Sequence, residues 1–505
     1  MIELPEFGAV RVVQSAAKPG KRAYDSLDQL TIVVPKDVTA AQLRAQPQGS
    51  QLAALRARTK DKEEMVLTSR MGNSRATRVT AASLPTKDSF GTLTWARKLI
   101  AQSLQENPAR LGLVTSGLVE AERERALRAL VAAALAAGLE LPTFKTDKKS
   151  KPPKLRSIHL FGAPIALKDL RAQALGNDIA RWLTALPPNI LTAASYREAA
   201  IALGKAHSLT AEFLGERKLE KLGAGAFLAV SQGNEQRDAG ILRLKYRPAK
   251  ETRPELALVG KGIVFDTGGT NLKPFKGMLD MHMDMQGSAV ALGTGIALAE
   301  LEVPFAFDIW MAITENRISG RAYKSQDVVT AADGTTIQII HTDAEGRMVL
   351  ADTLALAARE EPKLIIDYAT LTGSCVAALT ERYTGVFSNR ASVYPLLTKV
   401  GVDSGERVWP FPMDEDFDEG LKSAVADVKQ CSEDGAGDHI LAARFLSRFV
   451  PPSIPWIHVD LSAAQRKGGL GHVPSESTGF GVRWTLNLLE RQLRLREGMQ
   501  RLPRA

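Results

Sequence analysis

Short apolar runs and longer helical segments alternate along the first 140 residues. LTIVV (30–34) and RLGLVTSG (110–117) have the length and composition of strands, whereas FGTLTWARKLIAQSLQ (90–105) and VEAERERALRALVAAALAAG (119–138) have the composition and apolar spacing of helices. Because strands that alternate with helices form layered sheets, this pattern predicts an α/β domain.

A different pattern follows. A long helical segment (166–192) is ended by Pro187 and Pro188, and from about residue 195 the strands become more apolar and the helices between them richer in alanine. Nearly continuous apolar strands separated by helices, such as the one at 287–302, predict a mostly parallel or mixed sheet covered on both faces. The predicted strands are FLAVSQG (227–233), LRLKYRP (242–248), LALVGKG (256–262), FAFDIWMAI (305–313), TIQII (336–340), LIIDYA (364–369) and WIHVDLS (456–462).

The two patterns predict an α/β protein of two domains, each with a mixed or mostly parallel sheet flanked by helices. The chain has 505 residues, which is too long for one ordinary core. We expect an N-terminal α/β domain at residues 1–165, ending in a basic linker at about 144–156. Residues 166–505 would form a connecting helix and a larger C-terminal domain.

Composition narrows the class of protein. Hydrophobic residues make up 45% and charged residues 24%, which is typical of a globular chain. No apolar run reaches the roughly 18 residues of a membrane helix, and the start, MIELPEFGAVRVV, does not have the pattern of a signal peptide. Cys375 and Cys431 are the two cysteines, so neither a disulfide framework nor a cysteine zinc site is predicted, and we interpret both as buried thiols. The sequence therefore predicts a cytoplasmic protein without a membrane partner.

The net charge of +9 leaves contact with nucleic acid or another polyanion open. The most basic stretch is FKTDKKSKPPKLR (144–156), which contains six basic residues and one acid, Asp147. Two prolines and the lack of periodicity indicate a solvated linker, and binding of an anionic partner is the alternative.

Charged residues collect after several predicted strands. The carboxyl ends of neighbouring parallel strands meet at one edge of a sheet, so these residues are expected to converge. They are Lys261 and Asp266, then Asp280 and Asp284 before a helix, then Asp343, Glu345 and Arg347 after TIQII.

Converging carboxylates repel each other by several kcal/mol per pair, at about 4 kcal/mol for contact at an intermediate dielectric. Protonation or bound cations relieve this repulsion, and a pair of divalent ions would favour hydrolysis of an acyl or phosphoryl bond. The oxygen donors suit magnesium or manganese as well as zinc, and the absence of an HExxH pair excludes a helix-borne zinc protease site. The alternative is that Asp266 and Asp343 cap helices or turns, and the residues alone leave both interpretations open.

Four long motifs resemble a known family. KGIVFDTGGTNLKP (261–274), DMHMDMQGSA (280–289), HTDAEGRMVLADTL (341–354) and YATLTGSC (368–375) resemble, in order and spacing, the core of the leucyl aminopeptidases, also called cytosol aminopeptidases. The resemblance covers roughly residues 175–490. It implies a metal-dependent aminopeptidase that removes N-terminal leucine and other mainly apolar residues from short peptides. It also implies a homohexamer, and some bacterial members of the family bind DNA as well.

The resemblance implies two divalent ions per subunit, Mn²⁺ or Zn²⁺ with Mg²⁺ as a further candidate, and a water that bridges them. Lys261, Asp266, Asp284 and Glu345 would surround one ion, and Asp266, Asp343 and Glu345 the other. Lys261 would coordinate as a neutral amine, which requires that two adjacent dications lower its pKa.

The resemblance also implies two catalytic residues and a pocket. Lys273 would polarise the scissile carbonyl, and Arg347 would hold a bicarbonate ion that accepts the proton of the attacking water. The chain departs from the family at His341, where Asn is usual, and in CSEDGAGDHILAARFL (431–446), whose polar residues differ. His282 and Asp352 receive no role. The residues expected to contact or shape the substrate are Met281, Thr370, Leu371, Gly373 and His341.

Overall fold

The computed structural model describes residues 2–16, 19–58, 65–146, 155–248 and 253–494. The chain forms two compact units. One comprises Glu6–Ala174 with Gly468–Glu476, and the other comprises Met1–Pro5, Leu175–Lys467 and Ser477–Ala505.

The first unit contains a six-stranded sheet in the order β1, β6, β5, β2, β4, β3, in which only the β3–β4 pair is antiparallel. Its strands are β1 (Arg11–Ser15), β2 (Gln29–Val34), β3 (Val66–Arg70), β4 (Arg78–Ser83), β5 (Arg110–Thr115) and β6 (Ser157–Phe161). Its helices are α1 (Lys21–Tyr24), α2 (Ala40–Arg44), α3 (Gly49–Arg58), α4 (Ser89–Ser103) and α5 (Glu120–Gly138).

Helices cover both faces of this sheet, as alternation along β2 shows. Val33 packs into a cluster with residues of α4 and α5, whereas Ile32 and Val34 pack into a second cluster with residues of α2 and α3. Every residue of β2 is buried, so this strand lies in the interior of the unit.

The second unit contains a mixed eight-stranded sheet in the order β15, β14, β17, β13, β9, β10, β8, β7, with a separate three-stranded sheet in the order β11, β12, β16. The strands are β7 (Thr210–Gly215), β8 (Gly240–Tyr246), β9 (Leu256–Asp266), β10 (Phe307–Asn316), β11 (Val328–Thr330), β12 (Thr336–Gln338), β13 (Leu364–Ala369), β14 (Thr384–Ser388), β15 (Val408–Pro410), β16 (Val428–Lys429) and β17 (Trp456–Asp460). Parallel pairing joins β17, β13, β9 and β10 at the centre of the large sheet.

Helices of the remaining chain are α6 (Lys168–Thr184), α7 (Ala193–Ala206), α8 (Glu216–Lys221), α9 (Gly225–Ser231), α10 (Phe275–Met278), α11 (Gln286–Glu300), α12 (Glu345–Ala358), α13 (Gly373–Leu379), α14 (Tyr394–Ser404), α15 (Asp438–Ser447) and α16 (Val482–Arg494). Four short 3₁₀ helices lie at Met281–Met283, Thr380–Arg382, Ala391–Val393 and Glu415–Leu421. All 14 residues of α12 are buried, which is typical of a helix enclosed by its own domain.

The predicted fold class, α/β with mixed sheets flanked by helices, is confirmed. Two predicted strands differ. Residues 227–233 lie mainly in α9, because a short apolar run cannot by its pattern alone be told from a buried helix. TIQII forms β12, which pairs within the three-stranded sheet and not within the large one.

Cys375 and Cys431 are both buried free thiols, as predicted. Eight residues of the basic linker, 147–154, lie outside the described residues, and they include four of its lysines. Across the part of the chain that the structure describes, no helix combines the length and apolar character needed to cross a bilayer.

Candidate active site

The carboxyl ends of the central strands carry polar side chains of the candidate site. Asp266 is the last residue of β9 and is 1% exposed. Asn316 ends the neighbouring β10 directly opposite Asp266 and donates to its Oδ1 over 2.8 Å. Thr370 follows β13 on the other side of β9. The edge expected from the sequence is therefore formed by adjacent strands.

Lys261 lies within β9, and its side chain is buried among acceptors. Its Nζ lies 2.7 Å from Oδ2 of Asp284 and 2.8 Å from Oε1 of Glu345, and it donates to the carbonyl oxygen of Thr370 over 3.0 Å. A Cβ at Gly346 would lie 2.5 Å from Cε of Lys261, so only glycine lets the start of α12 approach this side chain.

Asp266, Asp343 and Lys273 complete the cluster. One carboxylate oxygen each from Asp266, Asp343 and Glu345 lies within 4.8 Å of the others. Lys273 reaches them from the loop after β9, with its Nζ 2.9 Å from Oδ2 of Asp266 and 2.5 Å from Oδ1 of Asp343. The structure thus brings together all five predicted metal ligands and Lys273.

Two carboxylates of this cluster, those of Asp343 and Asp284, are disfavoured in their charged form. Burial, with the like charges of Asp266 and Glu345, raises the pKa of Asp343 to about 7. Burial likewise raises the pKa of Asp284 well above its ordinary value. The cluster therefore favours a bound cation or proton over four bare carboxylates.

The pKa values of the two lysines are raised as well, which favours the charged form of an amine. Burial lowers the pKa of the Lys261 ammonium, but the carboxylates of Asp284 and Glu345 outweigh it, so the pKa is raised overall. The same balance raises the pKa of Lys273. With protein groups alone, both amines are charged. The lowered pKa expected for Lys261 concerns an amine that faces two dications, and it stays a prediction.

The residues fit divalent ions. Their donors are carboxylate oxygens with one amine, and all of these residues are buried except Asp343, whose side chain is 26% exposed. Oε2 of Glu345 is buried and accepts no hydrogen bond from any residue that the structure describes. A buried carboxylate oxygen without a donor is costly unless a cation satisfies it.

Arg347 lies in the first turn of α12, two residues after Glu345, and its side chain is 2% exposed. Its Nη2 donates to both carboxylate oxygens of Asp438 over 2.8 Å, and its Nη1 donates to the carbonyl oxygen of Gln430 over 3.2 Å. The guanidinium expected to hold bicarbonate is therefore already paired with a carboxylate of the chain.

The predicted substrate residues flank the cluster. Thr370 donates through Oγ1 to Oδ1 of Asp284 over 2.8 Å, Leu371 follows it, and Gly373 begins α13. Met281 begins the 3₁₀ helix that leads to Asp284. His341 is exposed, and its Nδ1 accepts from the backbone N–H of Asp343 over 3.3 Å, so it supports the turn that carries this acid.

The two residues without a predicted role lie outside the cluster. His282 is half-buried, and burial lowers its pKa. Asp352 is buried on α12, where its carboxylate accepts from the backbone N–H groups of Phe227 and Ala332, each over 2.7 Å. These contacts join α12 to α9 and to the loop after β11.

Several positioning residues were missed from the sequence. Asp460, at the end of β17, accepts from the backbone N–H of Leu371 and from Oγ1 of Thr372 over 3.2 and 2.6 Å. Oε1 of Gln430 accepts from the backbone N–H of His341 over 3.0 Å. Asn316 was missed too, although its place at the end of a predicted strand was a usable signal. Gln430 and Asp438 follow no predicted strand, so nothing in the pattern marked them.

Comparison with known proteins identifies relatives of this chain. A profile described as "Cytosol aminopeptidase family, catalytic domain" matches residues 178–486. A probable cytosol aminopeptidase of Parasynechococcus marenigrum (strain WH8102) is 37% identical over 475 residues, which cover 91% of this chain and 96% of the relative.

Solved structures show the same fold. A mutant of tomato leucine aminopeptidase superposes with a TM-score of 0.83 at 24% identity, covering 97% of this chain and 98% of that one. The bottromycin maturation enzyme BotP in complex with Mn gives a TM-score of 0.78 at 27% identity, covering 92% and 99%.

The profile matches more than half of the chain, and a relative more than 30% identical is matched over nearly its whole length. The chain belongs to the cytosol aminopeptidase family and is a hydrolase of the leucyl aminopeptidase type.

Proposed function

We propose that this enzyme uses two divalent metal ions to release the N-terminal residue, leucine and other mainly apolar residues, from short peptides. The observation that carries the proposal is the cluster of Lys261, Asp266, Asp284, Asp343 and Glu345, which is buried apart from the partly exposed Asp343 and leaves one oxygen of Glu345 unsatisfied. Manganese, zinc or magnesium suits the donors, and the related BotP is described in complex with Mn.

The five clustered residues would hold the ions in the two sets that the family resemblance implies. When bound, the ions would supply an activated water and a Lewis-acid partner for the substrate's free amino group. The cluster lies beside Thr370. A peptide that places its N-terminal amine at the ions would bring its first peptide bond to the cluster, so the enzyme would release one residue at a time.

Lys273 is the group best placed to act on the scissile carbonyl. Its ammonium contacts Asp266 and Asp343, and its side chain keeps 15% exposure, so it lies in the cluster and stays partly accessible. A fixed positive charge there polarises the carbonyl and stabilises the oxyanion that develops.

Backbone and side chains around Thr370, Leu371, Gly373, Met281 and His341 would form the substrate pocket. An apolar pocket discriminates by only about 1–3 kcal/mol per methylene, so we expect broad specificity for the first residue. A cytoplasmic location and a homohexameric assembly belong to the same proposal, supported by the family name and resemblance.

Bicarbonate at Arg347 stays a prediction from the family resemblance. Asp438 already faces this guanidinium, so no step of the proposed reaction depends on bicarbonate.

The proposal is tested with leucyl p-nitroanilide and a panel of other aminoacyl p-nitroanilides, together with metal analysis of the purified protein. We expect about two ions per chain, loss of hydrolysis with a chelator, and recovery with manganese. Hydrolysis that survives complete removal of metal, or N-terminally blocked peptides cleaved as fast as free ones, would contradict the proposal.

An additional polyanion-binding role, to DNA in the first instance, is the second candidate. Six arginines of the first unit line a cavity of about 510 Å³ that contains two acids, Asp28 and Glu106. Because Arg78 and Arg110 begin β4 and β5 at one edge of the sheet, we call the residues of this cavity the arginine edge. Its basic residues are Arg11, Arg70, Arg75, Arg78, Arg110 and Arg156.

Retention of duplex DNA that weakens with salt and persists after both metals are removed would support the second candidate. Neutralising the lysines of 144–156 and, separately, Arg11 with Arg156 distinguishes the linker from the arginine edge. Equal retention by the unmodified chain and both variants would contradict a specific basic surface.

A further inference from the structure

We infer that Asp438 is the chain's own substitute for bicarbonate: its carboxylate occupies the anion position at Arg347 and accepts the proton of the attacking water. This inference rests on the proposed aminopeptidase function and assigns a residue of that reaction.

The first support is the way in which the Arg347 guanidinium is used. Its Nη2 contacts both oxygens of Asp438 at 2.8 Å, and its Nη1 is taken by the carbonyl oxygen of Gln430. Bicarbonate would need the same donors that a carboxylate uses, since the two anions share planar geometry and charge. Asp438 thus occupies Nη2 of the guanidinium, for which bicarbonate would have to compete, while Nε of Arg347 makes no hydrogen bond to any residue that the structure describes.

The second support is the position of Asp438 relative to the site. It begins α15 just after Gly437, whose φ of +62° turns the chain into the helix. The next residue, His439, donates its backbone N–H to Oγ of Ser374 over 2.9 Å. Ser374 follows Gly373, so the first turn of α15 is fixed against the start of α13, where the substrate is expected.

The third support is that Gln430 joins the Arg347–Asp438 pair to the loop that carries the metal-ligand cluster. Its carbonyl oxygen accepts from Nη1 of Arg347 over 3.2 Å, and its Oε1 accepts from the backbone N–H of His341 over 3.0 Å. Its Nε2 donates to the carbonyl oxygen of Ala344, directly before Glu345, over 3.0 Å. The Asp438 side chain is 26% exposed while that of Arg347 is 2% exposed, so the carboxylate is the accessible member of the pair.

The proton transfer balances without another reactant. An O–H bond of the water breaks, the proton binds an Asp438 oxygen, and the water oxygen bonds to the carbonyl carbon. When the C–N bond breaks, Asp438 returns this proton to the leaving nitrogen and becomes a carboxylate again. A positioned acid–base group of this kind typically contributes about 10²–10⁴-fold to the rate.

A purely structural role for Asp438 is the competing explanation. An acid at a helix N-terminus is favourable in itself, and removing it leaves the buried Arg347 without its carboxylate. Loss of activity in an Asp438 variant therefore does not distinguish the two explanations. The test needs a measurement that changes only if bicarbonate can take the place of the Asp438 carboxylate.

The experiment compares the unmodified enzyme, Asp438→Ala, Asp438→Asn and the control Asp434→Asn in carbon dioxide-free buffer and with added sodium bicarbonate. Asp434 lies in the same loop, is exposed, and accepts from the backbone N–H of Ala436 over 3.0 Å. Metal content and thermal unfolding are measured for each protein, and bicarbonate binding is measured by isothermal titration calorimetry.

We expect bicarbonate to change turnover of the unmodified enzyme and of Asp434→Asn by less than about twofold, with no binding heat. Asp438→Ala should lose about 10²–10⁴-fold in turnover, bind bicarbonate measurably, and recover at least about tenfold as bicarbonate saturates. Asp438→Asn should lose turnover with weaker recovery, because its amide still fills the position.

Three results would overturn the inference. They are saturable activation and binding heat in the unmodified enzyme, full turnover of Asp438→Ala without bicarbonate, or a folded, metal-loaded Asp438→Ala that bicarbonate does not rescue. If Asp438→Ala fails to fold, the titration of the unmodified enzyme still decides. An unmodified enzyme without any metal-dependent hydrolysis would instead contradict the proposed function.

Discussion

The two large sheets carry opposite charges at opposite ends of their strands. In the second unit, acids gather at and beyond the carboxyl ends, with Asp266 and Asp460 as the last residues of β9 and β17. In the first unit, arginines stand at the amino ends, with Arg78 and Arg110 as the first residues of β4 and β5. Both edges concentrate like charges, yet only one has the chemistry of an active site.

The two edges differ in the exposed fraction of their charged side chains. The side chains of Glu345 and Asp266 are 1% and 2% exposed, whereas those of Arg70 and Arg75 are 51% and 42% exposed. Charges in water are screened and cost little to bring together, but buried charges interact strongly and must be neutralised. The acidic edge therefore requires bound cations or protons to balance its buried charges. The exposed arginines of the arginine edge are screened by solvent instead.

The largest expected loss of turnover is that caused by Glu345→Gln. The substitution keeps the shape of the side chain but removes a charge from the cluster, so metal binding and turnover should both collapse. Loss of an outer partner of a metal ligand costs about 10–100-fold, so loss of a ligand itself should cost at least about 10³-fold in turnover. Hydrolysis of leucyl p-nitroanilide and metal content of the purified variant measure this.

Glu106→Gln at the arginine edge is the matched control. Glu106 is 49% exposed and pairs with Arg70, so turnover should stay within about twofold of the unmodified enzyme. Full turnover of Glu345→Gln, with its fold verified by circular dichroism, would contradict the two-metal proposal. Loss of turnover in both variants would remove the contrast between the edges.

An intermediate effect is expected at Asp352, which tests whether a raised pKa marks the active site. Burial raises the pKa of Asp352 to about 7, the same value as for Asp343, although Asp352 joins two helices and contacts no member of the cluster. Asp352→Asn should keep the turnover per folded molecule within about twofold. It should lower the free energy of unfolding by about 1–3 kcal/mol, because an amide oxygen replaces two acceptors.

The contribution of Asp352 to the free energy of unfolding depends on pH, and the folded and unfolded pKa values set the sign of that dependence. The folded pKa of Asp352, at about 7, lies above that of an unfolded chain. Its contribution to stability is complete at about pH 4 and is lost as pH rises through 7. The difference between the two proteins in free energy of unfolding, measured in urea, should therefore shrink between pH 5 and pH 7.5. A difference that stays constant over this pH range would show that Asp352 is held as a carboxylate, because the folded and unfolded chains would then both be ionised.

The sequence predicted the acidic edge because its residues follow strands in a fixed order. Asp266 and Thr370 could be placed from the apolar runs that precede them, and the family resemblance supplied the rest of the cluster. The α9 helix was mistaken for a strand because tertiary contacts, including the Asp352 carboxylate at the N–H of Phe227, decide a short apolar run. The partner of Arg347 was also beyond prediction. Asp438 lies 91 residues further along the chain, and only the packing of α15 brings the two together.

The smallest effect is expected at the arginine edge itself. Arg75 donates to Oδ1 of Asp28 over 2.9 Å, but the other oxygen of Asp28 accepts from the backbone N–H of Arg110 over 2.9 Å. Arg75→Gln leaves Asp28 with this partner and removes one exposed ion pair, so the free energy of unfolding should change by less than about 1 kcal/mol. Because salt screens exposed pairs, the change should be smaller at 1 M sodium chloride than at 0.05 M. A loss above about 2 kcal/mol that salt does not reduce would mean that Arg75 is buried in the enzyme as it exists in solution. The arginine edge would then resemble the acidic edge, as a set of charges constrained by what covers it.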